Sequence, residues 1–266
     1  MLDLALRAAL AGGDAIRPFL GQPIPVDRKA DDSPLTQADL ASHSAIAAVL
    51  GAGAPGIPLL SEEDDPEAQD RSGWSRSWCV DPLDGTKGFI DGSGQFTVNV
   101  ALIEDGWPVL GVVHVPVTGV TYLGGPGGAS KIENGERRPI STRPAPEGEL
   151  TVVASRHHAG PEIEEAVRRI EASGRAVSHA SMGSSLKFCL VAEGAADLYP
   201  RTGPTMEWDT AAPQAVVEAA GGRLVALSGP HRGERLPYNR ATLLNPPVVA
   251  WGDPELDWGP WLDGLV

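Results

Sequence analysis

Apolar positions along the chain alternate between helical and strand periods. Over residues 2–20 they recur at helical spacing, with Leu2, Leu6, Leu10 and Ile16 near one face, until Gly21, Pro23 and Pro25 end the run. Asp31-Asp32-Ser33-Pro34 reads as a turn, and Thr36 opens a second helix to about residue 50, closed by the glycines and prolines of 51–58. Short strands follow. Pro58-Leu59-Leu60 runs into the acidic stretch Ser61-Glu62-Glu63-Asp64-Asp65, and Trp78-Cys79-Val80 stops at Asp81-Pro82. The Val-, Thr- and Ile-rich segments 95–103, 108–115 and 120–123 predict three consecutive strands, and Asn134-Gly135 predicts a tight hairpin.

Segment 144–148, rich in Pro, Glu and Gly, marks an internal boundary. Beyond it strands (150–154, 175–179, 197–199, 223–227) alternate with helices (161–172, 184–192, 209–220), the last helix closed by Gly221-Gly222. The expectation is an α/β protein with an α+β first half, 1–148, and an α/β second half, 149–266. No repeat or low-complexity tract interrupts it, and the Trp-rich stretch after Trp251 fits no pattern.

Composition narrows the class. The 266 residues suffice for one large domain or two small ones. Against 21 Lys and Arg stand 35 Asp and Glu, a net charge of −14, which argues against a nucleic-acid polymer as partner. An enzyme that holds an anion through metal ions stays open. A hydrophobic content of 42% excludes disorder. Two cysteines, Cys79 and Cys189, make no disulfide framework; both sit in apolar runs and read as buried thiols in a reducing compartment. The start, Met-Leu-Asp-Leu-Ala-Leu-Arg, has the wrong order of charge for a signal peptide, and no apolar run reaches about 18 residues, so no membrane span is expected. The expected location is the cytoplasm, with peripheral attachment to the inner face of a membrane left open.

The chemistry concentrates in Asp81-Pro82-Leu83-Asp84-Gly85-Thr86. Two carboxylates three positions apart, at a strand end stiffened by Pro82, can share one metal cluster, while exposed N–H groups at Gly85 and Thr86 can hold a phosphate. Oxygen ligands of this kind suit Mg²⁺. The competing reading is an Asp-Pro turn with an Asp-Gly hairpin. Glu62, at a strand end, is either a further ligand or part of a solvated acidic loop. Asp209, at a helix start in Glu207-Trp208-Asp209-Thr210-Ala211-Ala212, is either a ligand or an N-cap. Carboxylates on several separate element ends are the usual source of a multi-metal site. Thr36-x-x-Asp39 has the form of a capping box. His157-His158 lacks metal-ligand spacing, and His43, His114, His179 and His231 are scattered.

These stretches, with 29–39, Leu60-Ser61-Glu62-Glu63-Asp64, Phe96-Thr97-Val98-Asn99, 183–194 and Leu198-Tyr199-Pro200-Arg201, resemble the inositol monophosphatase-like superfamily of Mg²⁺-dependent, Li⁺-sensitive phosphatases. Lys87 and the run Ser184-Ser185-Leu186-Lys187-Phe188-Cys189 resemble its CysQ-type 3'(2'),5'-bisphosphate nucleotidases, an enzyme class of sulfate assimilation. The resemblance implies a layered αβαβα sandwich of the inositol monophosphatase/fructose-1,6-bisphosphatase type. The first half would carry most metal ligands, and the second would carry Asp209 and the nucleotide side. It implies two Mg²⁺ ions and a weaker third near Glu62. Glu62, Asp81 and the Leu83 carbonyl would hold the first ion; Asp81, Asp84 and Asp209 would hold the second. It implies that Thr86, paired with Asp39, activates the attacking water, with Glu62 also in the catalytic set and Lys29 close by. Glu62, Leu83, Asp84, Gly85, Thr86, Ser184, Lys187, Arg201 and Asp209 would line the substrate. The implied reaction is hydrolysis of the 3'-phosphate of adenosine 3',5'-bisphosphate, with 3'-phosphoadenylyl sulfate as a second substrate. A sugar-phosphate phosphatase on the same metals is the alternative within the class, and a silent metal- and nucleotide-binding protein the alternative outside it. Gly88 departs from the pattern, standing where relatives in this branch carry an acid.

Overall fold

The computed structural model describes residues 1–22, 27–28, 34–65, 68–154 and 160–265. Helix α1 (Leu2–Ile16) ends in a 3₁₀ turn, Arg17–Phe19. Its buried face is Leu4, Ala5, Ala8, Ala9, Gly12, Gly13 and Ile16. The face expected from Leu2, Leu6 and Leu10 is displaced, and Leu10 is 39% exposed. Small residues win because a helix pair approaches closely where side chains are short: a Cβ on Gly12 would lie 2.7 Å from Ile46 and Ser42. Two-residue strands β1 (Asp27–Arg28) and β2 (Pro34–Leu35) pair antiparallel. Helix α2 (Gln37–Gly53) packs on α1 and buries Ala38, Asp39, Ser42, Ile46 and Leu50.

Seven strands form the first sheet: β3 (Leu59–Ser61), β4 (Arg76–Asp84), β5 (Thr97–Glu104), β6 (Trp107–His114), β7 (Thr121–Gly125), β8 (Gly128–Glu133) and β9 (Glu136–Ile140), in that spatial order. All pairs are antiparallel except β3 with β4. Strand β4 does not stop at Asp81-Pro82 as its sequence suggests. It continues to Asp84 through a register shift between Asp81 and Asp84, and such an irregularity is where a sheet tolerates a residue without N–H. The expected turn at Asn134-Gly135 joins β8 to β9, both residues having positive φ, 53° and 80°. No hairpin follows Asp84-Gly85; Gly85, at φ 92°, leads into the short helix α3 (Thr86–Ile90).

The second sheet has five strands in the order β11-β10-β12-β14-β13: β10 (Glu149–Ala154), β11 (Ala176–Ser181), β12 (Leu198–Arg201), β13 (Arg223–Ala226) and β14 (Val248–Trp251). Helix α4 (Pro161–Ala172) joins β10 to β11, α5 (Leu186–Ala192) precedes β12, and α6 (Glu207–Ala219) precedes β13. Strand β14 and the terminal helix α7 (Gly259–Leu262) have no counterpart in the sequence reading. The prolines before Val248 mask a strand that inserts antiparallel between β12 and β13.

The layers are α1/α2, first sheet, α5/α6, second sheet and α4/α7, the expected αβαβα order. Helix α6 lies in the central layer. Gly111 and Gly124 face each other across β6 and β7, and a Cβ on either would strike the α6 backbone, at Ala212 and at Ala215–Val216. Trp258, Trp261 and Leu262 of the Trp-rich stretch close the outer core of the second sheet with Leu150, Val152, Ile170 and Val249. Cys79 and Cys189 are free and buried, as expected. Among the described residues no helix is long and apolar enough to cross a membrane.

Candidate active site

The end of β4 gathers the acidic side chains. Ser42 of α2 donates to the Pro82 carbonyl at 2.8 Å and ties α2 to this strand end. That tie brings Asp39, one turn earlier on the same face, against α3. Asp39 Oδ2 accepts from Thr36 N at 2.8 Å and Thr36 Oγ1 at 2.6 Å, while Oδ1 faces Thr86 Oγ1 at 3.4 Å. The capping box and the Thr86 pairing, alternatives in the sequence, coexist because a carboxylate has two oxygens. Thr86 Oγ1 also lies 3.3 Å from the Leu83 carbonyl.

Glu62 follows β3 directly, and its N–H donates to Val80 O. His43, which the sequence left without a role, steadies this turn: its Nδ1 is 2.9 Å from Ser61 Oγ and its Nε2 is 3.7 Å from Asp64. Asp81 is 1% exposed and accepts from Leu83 N at 3.0 Å. Asp84 Oδ2 accepts from Ser185 N at 2.6 Å and from Thr97 Oγ1 at 3.3 Å. Asp209 arrives from the other half of the chain as the third residue of α6, not as its N-cap. Its Oδ2 accepts from Met206 N at 2.7 Å.

Oxygens of Asp81, Asp84 and Asp209 lie within 4.8 Å of one another. Burial first, then the charges of Glu62, Asp84 and Asp209, push the Asp81 carboxyl well above the usual range. Burial and the Asp84 charge push Asp209 up to about 7. Hard oxygen donors that repel one another in a buried site suit a divalent cation, whose charge removes the repulsion. The Asn99 Oδ1 beside them is buried without a donor among the described residues.

Lys187 on α5 and Arg201 at the end of β12 flank this cluster. Lys187 Nζ stands 5.6 Å over the Tyr199 ring and makes no ion pair among the described residues. Burial lowers its pKa, opposed by Asp84 and Asp209 and assisted by Arg201. Arg201 donates to Pro204 O at 3.2 Å. Ser184 has φ 49°, uncommon for a side-chain-bearing residue, and its Oγ is buried without a partner among the described residues. Gly85 and Gly88 both approach the Gln95 carbonyl; a Cβ at Gly88 would lie 2.9 Å from it, so this backbone leaves no room for an acid there. Lys29, His157 and His158 lie outside the described residues.

The model of the inositol monophosphatase family matches residues 1–254. The chain belongs to the inositol monophosphatase family. Within that family it is 48% identical, over 92% of its own length and 97% of the relative's, to the 3'(2'),5'-bisphosphate nucleotidase CysQ of Shigella flexneri. The crystal structure of CysQ from Bacteroides thetaiotaomicron superposes with a TM-score of 0.82 at 39% identity, covering 96% of this chain and 97% of that one. An inositol monophosphatase from Zymomonas mobilis superposes with a TM-score of 0.75 at 32% identity, covering 98% and 95%. Membership in the inositol monophosphatase family agrees with the five-layer order and with the carboxylates at its centre.

Asn99 and Ser185 stand in stretches that carry the resemblance, yet the sequence reading assigns them no role at this centre. Asn99 Nδ2 donates to Ser185 Oγ at 2.9 Å, and Ser185 Oγ donates to the Asp209 carbonyl at 3.0 Å. Polarity inside the β5 run was the available signal for Asn99.

Proposed function

We propose that this chain is a Mg²⁺-dependent phosphatase that hydrolyses the 3'-phosphate of adenosine 3',5'-bisphosphate to AMP and phosphate, with 3'-phosphoadenylyl sulfate as a second substrate, in sulfate assimilation. The observation that carries the reading is the convergence of Asp81, Asp84 and Asp209 beside two cations, Lys187 and Arg201. A metal centre needs the first set, and a substrate with a phosphate besides the reacting one needs the second. The names of the CysQ relatives support the same substrate class.

Glu62, Asp81 and the Leu83 carbonyl would hold one Mg²⁺ and Asp81, Asp84 and Asp209 another, with a weaker third near Glu62. Ions in such a site supply Lewis acidity, charge neutralisation and a lowered pKa for bound water. The chain's own residues do the rest. Thr36 holds Asp39 Oδ2, and Oδ1 faces the Thr86 hydroxyl, placed to take its proton. Thr86 Oγ can then accept a proton from the attacking water and pass its own to Asp39. As the water oxygen bonds to phosphorus, the bond from phosphorus to the ribose 3'-oxygen breaks. Lys187, without a carboxylate partner among the described residues and partly desolvated, offers its charge to the second phosphate, and Arg201 stands behind it.

Phosphate release with Mg²⁺ from adenosine 3',5'-bisphosphate, 3'-phosphoadenylyl sulfate and inositol 1-phosphate tests the proposal. The expected result is a much higher kcat/KM for the bisphosphate than for inositol 1-phosphate. A preference for inositol 1-phosphate would move the chain to the sugar-phosphate branch; no turnover of any would favour a silent binding protein.

A further inference from the structure

Helix α6 contains Pro213, and position 213 is where the N–H for the Asp209 carbonyl would come from in an unbroken α-helix. Proline has no N–H. The Asp209 carbonyl is therefore denied its ordinary helical donor at the very residue whose side chain joins the carboxylate cluster. Ser185 answers that loss from another element: its Oγ donates to the Asp209 carbonyl at 3.0 Å.

Three observations set this serine apart from an ordinary helix cap. Ser185 is the N-cap of α5, yet its side chain makes no capping hydrogen bond to its own helix. Asn99 Nδ2 donates to the same Oγ at 2.9 Å, which leaves the single hydroxyl proton to point at Asp209. The Ser185 N–H donates to Asp84 Oδ2 at 2.6 Å. One residue, 2% exposed, thus grips a carboxylate of the first sheet with its backbone and the backbone of a carboxylate residue on α6 with its side chain.

We propose that Ser185 is a positioning residue for the metal centre, complementary to Pro213: its hydroxyl replaces the hydrogen bond that Pro213 removes from Asp209, and its N–H orients Asp84, so that Ser185 fixes the spacing of these two carboxylates. The inference rests on the metal-binding part of the function proposed above and not on the identity of the substrate. With the Asp209 carbonyl released, the first turn of α6 loosens and its carboxylate loses register with Asp84 and Asp81.

Calorimetric titration of the whole metal-free protein with Mg²⁺ alone tests it. Ser185→Ala keeps the N–H and removes the hydroxyl. Its Mg²⁺ dissociation constant should rise about tenfold, the usual scale for losing a group that orients a metal ligand. Pro213→Ala restores the helical donor, so the double variant Ser185→Ala/Pro213→Ala should recover most of that loss. A hydroxyl that merely fills space would give no such rescue. Wild-type affinity in Ser185→Ala, or a double variant that binds no better than Ser185→Ala, overturns the proposal. Should Ser185→Ala fail to fold, the double variant decides alone: folded with near wild-type affinity it supports the pairing, and unfolded or weakly binding it refutes it. A wild type that binds Mg²⁺ yet hydrolyses no bisphosphate sinks the nucleotidase reading and leaves this one standing.

Discussion

Asp39 shows how one carboxylate can cap a helix and face a hydroxyl on another element at once. Its Oδ2 closes the first turn of α2, which orients the carboxylate with Oδ1 toward Thr86. Thr86→Ala should therefore lower kcat by about 10²–10⁴-fold, the range of general-base assistance, while the calorimetric Mg²⁺ affinity stays unchanged. A loss of Mg²⁺ affinity instead would make Thr86 part of the metal shell. In the proposed function Lys187 is the corresponding residue on the substrate side. Losing one charge-assisted hydrogen bond, about 1.5–3 kcal/mol, should raise KM for adenosine 3',5'-bisphosphate roughly ten- to hundredfold in Lys187→Ala, with a substrate bearing one phosphate spared. Equal losses on both substrates would argue that Lys187 shapes the site and does not read the second phosphate.

At the scale of elements, α6 is the part on which the site depends most, and its N-terminal end is held from several sides. Glu207, fully buried, accepts from Asn239 N at 2.7 Å, Arg240 N at 3.0 Å and Arg240 Nε at 3.0 Å. Arg240 reaches on to Asn245 Oδ1, and Asn245 Nδ2 returns to Met206 O at 2.7 Å. Arg240→Ala would strand a buried carboxylate, so a destabilisation of about 3–5 kcal/mol is expected, read as a fall in the denaturant midpoint. A midpoint like that of the wild type would show that the two backbone donors alone satisfy Glu207. This network explains what the sequence could and could not disclose. Asp81, Asp84 and Thr86 were legible because they are neighbours along the chain, and Asp209 because an acid in the first turn of a helix is a local pattern. Glu207, Arg240 and Asn245 meet only through tertiary structure, and Ser185 gains its meaning from a proline 28 positions away. The buried face of α1 was misread for a related reason: periodicity weighs side-chain size, whereas two helices in close contact select the small residues.

For the molecule as a whole, the acidic centre makes stability depend on pH and metal together. Asp81 and Asp209 have folded-state pKa values above the ordinary 3.8, Asp209 at about 7. The metal-free folded protein thus holds protons that the unfolded chain releases. That contribution is complete below about pH 4 and is lost as pH rises through about 7. His114, buried and lowered from 6.5 to about 4, has the opposite slope, which fades as pH rises past about 6.5. Between pH 6.5 and 8 the carboxylates should therefore dominate: Tm in EDTA should fall across this window, less so in Asp81→Asn, and Mg²⁺ should raise Tm more at pH 8 than at pH 6.5. A Tm in EDTA that climbs over that interval would contradict the assignment.

Gly111 and Gly124 give the central helix a hard stop. Where they meet α6, backbone rests on backbone, with no compressible side chain between. The tolerance of that seat is the stiffness of peptide groups, tenths of an ångström, and metal–oxygen distances are held to about ±0.2 Å. A methyl group at either glycine would act as a shim, lifting Asp209 away from the carboxylates on the sheet below. Repacking farther out in the cores would leave that spacing alone, which lets the outer layers of this protein change their sequence without retuning the centre.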